Sequence, residues 1–161
     1  MENQLGLGKE WLQQLLTLMG LAVEVTTEGF ETVNDSESFW LNIDGSDLSS
    51  EQKQQLIGRK GESIDAIQYL ANTILNLDTD LAVQSSFVVE LDGYRVRRNQ
   101  ELAILTQEAI AKVKETGQEV EISDLSSAER KQIHSLLQDA EGLASESRGQ
   151  EPDRRLVVRL Q

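Results

Sequence analysis

The segment Gly58-Arg59-Lys60-Gly61 combines two glycines with two cations in a spacing that suits phosphate binding. Two glycines separated by two residues allow a tight turn in which no Cβ keeps a nucleic-acid backbone away. A helix that starts directly after such a turn presents free N–H groups to an anion. We therefore predict a contact with a nucleic-acid backbone here, with Ile57 and Ile64 as the floor of an adjoining groove. An ordinary helix-connecting turn with two exposed charges is the alternative.

A second candidate pair, Arg130 and His134, is spaced four residues apart, so both side chains share one face of a predicted helix. A guanidinium beside an imidazole can hold phosphate oxygens or stack on a base, and Lys131 adds a further cation. The alternative is structural. In that case His134 packs on the core and hydrogen-bonds a backbone carbonyl, while Arg130 bridges to an acid such as Glu129 or Asp139. We favour the phosphate role for Arg130 and keep both roles open for His134.

Three arginines cluster at the start of a predicted long helix: Arg95, Arg97 and Arg98. Positive charge is unfavourable there against the helix macrodipole, which suggests anion binding. Solvation, or pairing with the acidic half of the chain, is the alternative. Tyr94 is a candidate for stacking on a base, although an aromatic side chain at such a junction more often packs. Arg154 and Arg155 extend the candidate basic surface, unless the arginines of the last strand serve only solubility.

The net charge of −13 opposes a nucleic-acid partner, because Lys and Arg supply the general attraction to phosphates. The charge is unevenly distributed, however. Residues 1–57 hold 10 acidic and 2 basic residues, whereas residues 92–161 hold 13 acidic and 11 basic residues. The cations are therefore concentrated from Arg59 onward, where the candidate binding residues lie.

Several classes of function are excluded by composition. The chain has no cysteine and one histidine, which removes disulfides and thiolate sites and makes a zinc site improbable. No metal or other cofactor is expected, and a lone histidine without a nucleophile motif gives no basis for an enzyme. No apolar stretch of about 18 residues and no signal peptide occur, so we expect a cytoplasmic protein with no membrane partner.

Apolar spacing predicts the elements that position the glycine segment. A polar stretch containing Gly29 and Asn34-Asp35 separates two predicted antiparallel strands. The elements of this half, in the order α-β-β-α-α-β, are a helix over Lys9–Met19, strands at Val23–Val25 and Phe39–Ile43, a helix from the capping box Ser49-x-x-Gln52 to Leu56, a helix over Ser63–Leu75 and a strand at Phe87–Leu91.

The second half has the predicted order α-β-α-β-β. Its elements are a helix from Tyr94 to Gly117, a strand at Glu119–Ile122, a helix that begins with the capping box Ser126-x-x-Glu129, and strands at Gly142–Ser147 and Arg155–Leu160. The turn Asp92-Gly93 is the natural boundary, which predicts an α+β chain with domains at residues 1–91 and 92–161.

Four segments together resemble one bacterial family. The run from Leu56-Ile57-Gly58-Arg59-Lys60-Gly61 to Asn72 is similar to the KH segment of the Jag/KhpB family, and Asp92–Arg98 is similar to its junction. Glu129–His134 resembles the Arg-x-x-x-His signature of its second domain. The ending Ser147–Val157 resembles the family's Ser-x-Gly-x-x-Pro-x-Arg-x-Val-Val close, with Leu156 in place of the first valine.

The resemblance implies a type II-like KH domain (α-β-β-α-α-β) followed by a small α/β Arg-x-x-x-His (R-3-H) domain. It also implies binding to single-stranded RNA, since a KH loop clamps about four nucleotides of a backbone. Members commonly carry an N-terminal Jag domain, which we expect to be missing here. We predict a single-stranded RNA-binding protein with a post-transcriptional role, and single-stranded DNA is a further candidate ligand. The alternative is a protein-interaction adaptor that forms a heterodimer with a smaller KH protein.

Overall fold

The computed structural model describes residues 2–33, 36–77, 84–138 and 140–161. The chain divides into two compact units, Met1–Arg95 and Val96–Gln161, which we call unit 1 and unit 2. Helices and strands are mixed in both units. The predicted combination of α and β structure is therefore confirmed.

The described part of unit 1 has the predicted order α-β-β-α-α-β. Its elements are α1 (Glu2–Leu18), β1 (Val25–Val33), β2 (Ser36–Ile43), α2 (Ser50–Ile57), α3 (Glu62–Ile74) and β3 (Ser86–Leu91). The capping box that predicted α2 is formed. The amide of Gln52 donates to Ser49 Oγ at 3.2 Å, and the amide of Ser49 donates to Gln52 Oε1 at 2.9 Å. Two otherwise unpaired N–H groups are thereby satisfied at the helix start.

The sheet of unit 1 has the strand order β1-β2-β3, with β1 antiparallel and β3 parallel to β2. Parallel neighbours need a crossover connection, and α2 and α3 provide it. The glycine segment lies in the middle of this crossover. The polar stretch predicted as a connection is largely strand, because β1 runs to Val33 with an irregular register between Glu28 and Glu31. Asn34 and Asp35 lie outside the described residues.

One layer of helices packs on the sheet of unit 1. α1 contributes the buried Leu12 and Leu16, and α3 contributes Ile64, Ile67 and Ala71. The alternating positions of the strands meet these side chains: Phe39, Leu41 and Ile43 on β2, and Phe87, Val89 and Leu91 on β3. α3, which begins directly after the glycine segment, is therefore fixed to the sheet by burial of its apolar face.

Unit 2 begins within the first turn of a long helix. The elements of this half are α4 (Tyr94–Thr116), β4 (Val120–Ile122), α5 (Ser127–Gln138), β5 (Leu143–Arg148) and β6 (Arg155–Leu160). The sheet order is β4-β6-β5 with both pairs antiparallel. The second capping box is also formed, since the Ser126 amide donates to Glu129 Oε2 at 2.7 Å and the Glu129 amide donates to Ser126 Oγ at 3.2 Å.

Candidate nucleic-acid interface

The loop between α2 and α3 adopts backbone angles that favour glycine at both of its ends. Gly58 has φ 75° and ψ 177°, and Gly61 has φ 78° and ψ 10°. A Cβ on Gly58 would stand 2.6 Å from the backbone nitrogen of Ser63. Between the glycines, residues Arg59–Gly61 form a single 3-10 turn. The two glycines are therefore required by the turn itself, as their spacing predicted.

The first turn of α3 has no side-chain cap. Gly61 is its N-cap residue and offers no side chain to the amides that follow, in contrast to Ser49 at the start of α2. Uncapped N–H groups at a helix start attract anions. Glu62 and Asp65 place negative charge in the same turn, which limits the positive potential there.

The two cations of the loop differ in their surroundings. Arg59 is exposed, and its side chain has no hydrogen bond or ion pair with any residue that the structure describes. Lys60 is half-buried and has the left-handed backbone angle φ 55°. Arg59 is accordingly the side chain of this loop best placed to meet an external phosphate.

Tyr94 lies against the glycine loop, although it is 33 residues further along the chain than Gly61. Its Oη would be 2.6 Å from a Cβ on Gly61. The side chain is half-buried and packs on the core of unit 1. The structure thus brings Tyr94 together with the loop, and its hydroxyl group stands where a Cβ at position 61 would come too close.

The predicted apolar floor of the groove is present only in part. Ile57 is half-buried at the end of α2. Ile64 is fully buried in the core of unit 1. Ile64 therefore presents no surface to a base, because it is on the face of α3 that packs on the sheet.

Arg95 is bound inside unit 1. Its Nε donates to the Val89 carbonyl at 2.7 Å, and Nη1 donates to Asp65 Oδ1 at 3.0 Å. Its backbone amide donates to the carboxylate of the buried Glu90, which caps the start of α4. This is the ion-pairing alternative, and it gives Arg95 a role in holding β3 and α3 together.

Arg98 is bound inside unit 2. Nε donates to Glu129 Oε1 at 2.6 Å and Nη2 donates to Glu129 Oε2 at 3.2 Å, while Nη1 donates to Glu101 at 3.0 Å. The pair joins α4 to the start of α5. Of the three arginines in this cluster, Arg97 is the one with an exposed side chain.

Arg130 is buried, whereas the predicted phosphate-binding role requires an exposed side chain. Its side chain is 6% exposed. Nη1 donates to the carbonyls of Leu125 and Arg154 at 2.8 and 3.3 Å, and Nη2 donates to Ser127 Oγ at 3.0 Å and to the carboxylate of Glu151. Arg130 does bridge to an acid, as the structural alternative expected, but that acid is Glu151. Glu129 pairs with Arg98 instead, and Asp139 lies outside the described residues.

His134 is half-buried, and its Nδ1 is 2.7 Å from Ser145 Oγ on β5. Its Nε2 is 3.3 Å from Gln138 Nε2. The ring is thus held by side chains, whereas the structural alternative expected a backbone carbonyl. Lys131 is exposed on the same helix.

The arginines of the last hairpin fall into two groups. Arg155 pairs with Glu121 on β4 at 2.7 Å, and Arg148 pairs with Glu119 and Glu146. The pKa of the Arg148 guanidinium is raised, chiefly by its hydrogen bond to Glu119 and next by its hydrogen bond to Glu146. Arg154 is exposed, and its side chain has no polar partner among the described residues.

Sequence reasoning missed three amide side chains that position the glycine loop. These residues are Gln68, Asn72 and Asn76, which are four residues apart on α3 and directly after it. Their amide groups hydrogen-bond to the backbone of the edge strand β3 and of the residue before that strand. Asn72 accepts from the Phe87 amide at 2.9 Å and donates to its carbonyl at 2.8 Å. The regular spacing of three amides on one face was the available signal, but spacing alone does not name the strand they meet.

Two wider features bear on the class of site. No helix in the described parts of the chain is long and apolar enough to cross a membrane. Within the same residues, no group of three or more His, Asp or Glu side chains is arranged to hold a metal ion.

Comparison with known proteins gives matches over nearly the whole chain. The R-3-H domain model matches residues 100–160. An RNA-binding protein KhpB of Clostridium symbiosum is 29% identical over 151 residues, which cover 94% of this chain and 64% of that protein. The KhpB of Lactiplantibacillus plantarum is 34% identical over 65% of this chain and 32% of its own length. That of Bacillus subtilis is 26% identical over 69% of this chain and 53% of its own length.

The chain therefore spans less than two thirds of the length of each of these relatives. The matched region of the first includes the glycine loop, the junction and the Arg-x-x-x-His segment, since it covers 94% of the chain. The sequence resemblance and these matches agree: both are consistent with the Jag/KhpB family, and residues 100–160 match the R-3-H domain.

Proposed function

We propose that this protein binds single-stranded RNA without catalysing a reaction, and that it acts on RNA after transcription. Unit 1 is a type II-like KH domain whose Gly58–Gly61 loop grips the phosphate backbone. Unit 2 adds two exposed cations, Lys131 and Arg154, that contact further phosphates. RNA binding is what the names of the relatives describe, and single-stranded DNA is a candidate competitor for the same surfaces.

The geometry of the glycine loop carries the proposal. Both ends of the loop are glycines with positive φ angles, so no Cβ at these two positions keeps a strand of nucleic acid away. α3 starts without a side-chain cap, which leaves N–H groups for phosphate oxygens. Arg59 adds an exposed cation without a partner among the described residues. Contacts of these kinds fix a backbone and do not by themselves distinguish one sequence from another.

The loop is also held in place from two sides, as a binding site requires. Asn72 ties α3 to β3 through two hydrogen bonds. Arg95 links the first turn of α3 to the same strand, because it pairs with Asp65 and also donates to the Val89 carbonyl. Tyr94 covers Gly61. The loop therefore has little freedom to lose when RNA binds, which favours affinity.

The test of this proposal is a double charge reversal in the loop, Arg59→Asp with Lys60→Asp. We expect binding of a short fluorescent single-stranded RNA to weaken about a hundredfold, because two phosphate contacts become repulsive. The matched control is Lys112→Asp with Lys114→Asp, which makes the same change in net charge on exposed positions of α4. Equal affinities of the two variants would remove the loop from the binding site.

A second candidate function, a protein-interaction adaptor, is favoured by the outer face of α3. This face is apolar and exposed, with Tyr69 at 71%, Leu70 at 42% and Ile74 at 43%, and Leu77, three residues beyond the helix, is 70% exposed. Ile74 is exposed, although helical spacing places it with the buried Ile64, Ile67 and Ala71. Residues 66–77 contain no charged side chain. Contiguous exposed apolar surface of this kind marks protein-binding sites.

The partner proposed for this face is a smaller KH protein. Leu70→Glu with Ile74→Glu should abolish a heterodimer measured by sedimentation velocity and leave RNA binding by the isolated chain intact. An unchanged heterodimer would exclude this face as the contact.

A further inference from the structure

The Arg130 guanidinium joins two segments of unit 2 that are distant in sequence. It donates to the carbonyl of Leu125 and to Ser127 Oγ at the start of α5, and to the carbonyl of Arg154 and the carboxylate of Glu151 on the connection between β5 and β6. We call residues 149–154 the β5–β6 turn. Arg130 therefore links the start of α5 to this turn through hydrogen bonds.

The β5–β6 turn carries a cation that is more accessible than Arg130. Arg130 is 6% exposed, whereas the Glu151 side chain that it binds is 57% exposed. Arg154 is exposed and its side chain has no polar partner among the described residues. Its backbone carbonyl accepts from Arg130. This hydrogen bond holds the backbone of Arg154 in place and thereby limits the region that its side chain can reach.

We propose that Arg130 is a positioning residue, which acts together with Glu151 to hold the turn so that Arg154 contacts an RNA phosphate. This inference rests on the proposed function, since it assigns the phosphate contact within unit 2. The arginine of the Arg-x-x-x-His signature then contributes to binding without touching RNA.

Direct binding of phosphate by Arg130 would require its present contacts to break. Two backbone carbonyls would lose their donor, and a carboxylate and a hydroxyl would lose a charged partner. Buried polar groups that lose a partner are costly, and charge-assisted hydrogen bonds are the strongest of them. Arg154 meets a phosphate without breaking any contact that the structure describes, and it is therefore the better ligand.

Replacing Glu151 by alanine distinguishes these two roles, because they predict opposite changes in the affinity for RNA. If Arg130 were the ligand, Glu151→Ala would free it and remove a repulsive charge, so RNA would bind more tightly. If Arg130 is a positioning residue, Glu151→Ala loosens the turn and RNA binds about three- to fivefold more weakly, because one phosphate contact is lost in part. The matched control is Glu146→Ala, which removes an exposed carboxylate of β5 that pairs with Arg148 and does not contact Arg130.

The experiment measures fluorescence anisotropy of a labelled single-stranded RNA against salt concentration for the full chain and its variants. We expect Glu151→Ala and Arg154→Ala to lower the slope of log affinity against log salt by up to about 0.7, the contribution of one phosphate in a single strand. Glu146→Ala should not lower it. The double variant Glu151→Ala, Arg154→Ala should bind no more weakly than Arg154→Ala alone, which a purely destabilising role of Glu151 would not produce.

Three outcomes would overturn the inference. The first is that Glu151→Ala binds RNA as tightly as Glu146→Ala, or more tightly. The second is that the effects of Glu151→Ala and Arg154→Ala on affinity simply add. The third is that the unmodified chain fails to bind RNA, which overturns the proposed function as well. In the first two cases the unmodified chain still binds, so the proposed function stands and only the role of Arg130 is rejected.

Discussion

Replacing Gly58 by alanine should destabilise unit 1 by about 3 kcal/mol or more. Its angles, φ 75° and ψ 177°, lie in a region that only glycine adopts readily, and other residues pay about 1–3 kcal/mol there. The added Cβ would also stand 2.6 Å from the backbone nitrogen of Ser63. Relief of this contact requires movement of the first turn of α3, which the buried Ile64 anchors in the core. The strain and the steric contact therefore add.

Replacing Gly61 by alanine should cost less, about 2 kcal/mol, and the cost should be partly recoverable. Its left-handed conformation costs about 1–2 kcal/mol for a residue with a Cβ. The nearest atom is the Tyr94 hydroxyl oxygen at 2.6 Å, with Cζ at 3.3 Å. Because this oxygen ends a side chain, Tyr94→Phe removes the closest contact. In the Gly61→Ala background it should restore about 0.5–1 kcal/mol, measured as the coupling term of a double-mutant cycle.

The assay is urea-induced unfolding followed by circular dichroism, with the free energy of unfolding extrapolated to water. Gly20→Ala is the matched control in the same unit, because Gly20 has φ 80° and a Cβ added there would meet nothing within 4 Å. It should cost about 1–2 kcal/mol, the backbone contribution alone. If Gly58→Ala costs no more than Gly20→Ala, the loop is not packed against Ser63. If Tyr94→Phe leaves the cost of Gly61→Ala unchanged, Tyr94 does not cover the loop.

Two further substitutions test the contacts that hold the candidate site. Asn72→Ala should destabilise the protein by about 2–4 kcal/mol, because the amide and carbonyl of Phe87 both lose their partner. The control, Thr73→Ala on the exposed side of α3, should cost under about 1 kcal/mol. Equal costs in urea unfolding would contradict the role of Asn72. Arg98→Met should cost about 2–3 kcal/mol, since it leaves the buried Glu129 carboxylate without its charged partner, and Arg97→Met, at an exposed position, should change the free energy of unfolding by under about 0.5 kcal/mol. A reversed order of these two variants in the same assay would refute the assignment of Arg98 as the buried partner.

Local signals allowed the sequence to predict where several elements begin and end, although α1 begins at Glu2 and not at the predicted Lys9, and β1 continues to Val33. Both capping boxes are formed, because each depends on hydrogen bonds between residues three apart and therefore on no distant part of the chain. The strand at Arg155–Leu160 was predicted with the bounds that the structure has. The tight turn at Gly58 and Gly61 was likewise predictable, since such a turn requires glycine at these positions in any surroundings.

The burial of individual helix positions was less predictable. Apolar spacing predicts Leu105 on the inner face of α4 and Leu136 on the inner face of α5, but both are exposed, whereas the polar Thr106 and Arg130 of these helices are buried. Apolar spacing assigns the inner face to apolar residues, but a buried arginine is stable where several acceptors surround it. The acceptor Glu151 is 21 residues from Arg130, and no local pattern announces such a partner.

The same long-range pairing changes what the charge of the chain implies for RNA binding. Among the residues that the structure describes, several arginines of unit 2 form ion pairs with carboxylates of that unit, including Arg98, Arg130, Arg148 and Arg155. A paired guanidinium contributes little to the attraction of phosphate, so the sequence count of cations overstates the basic surface. Backbone N–H groups at the start of α3 do not depend on that count. We therefore expect the glycine loop to contribute more to affinity than its two cations indicate, and the acidic remainder of the chain to limit indiscriminate binding.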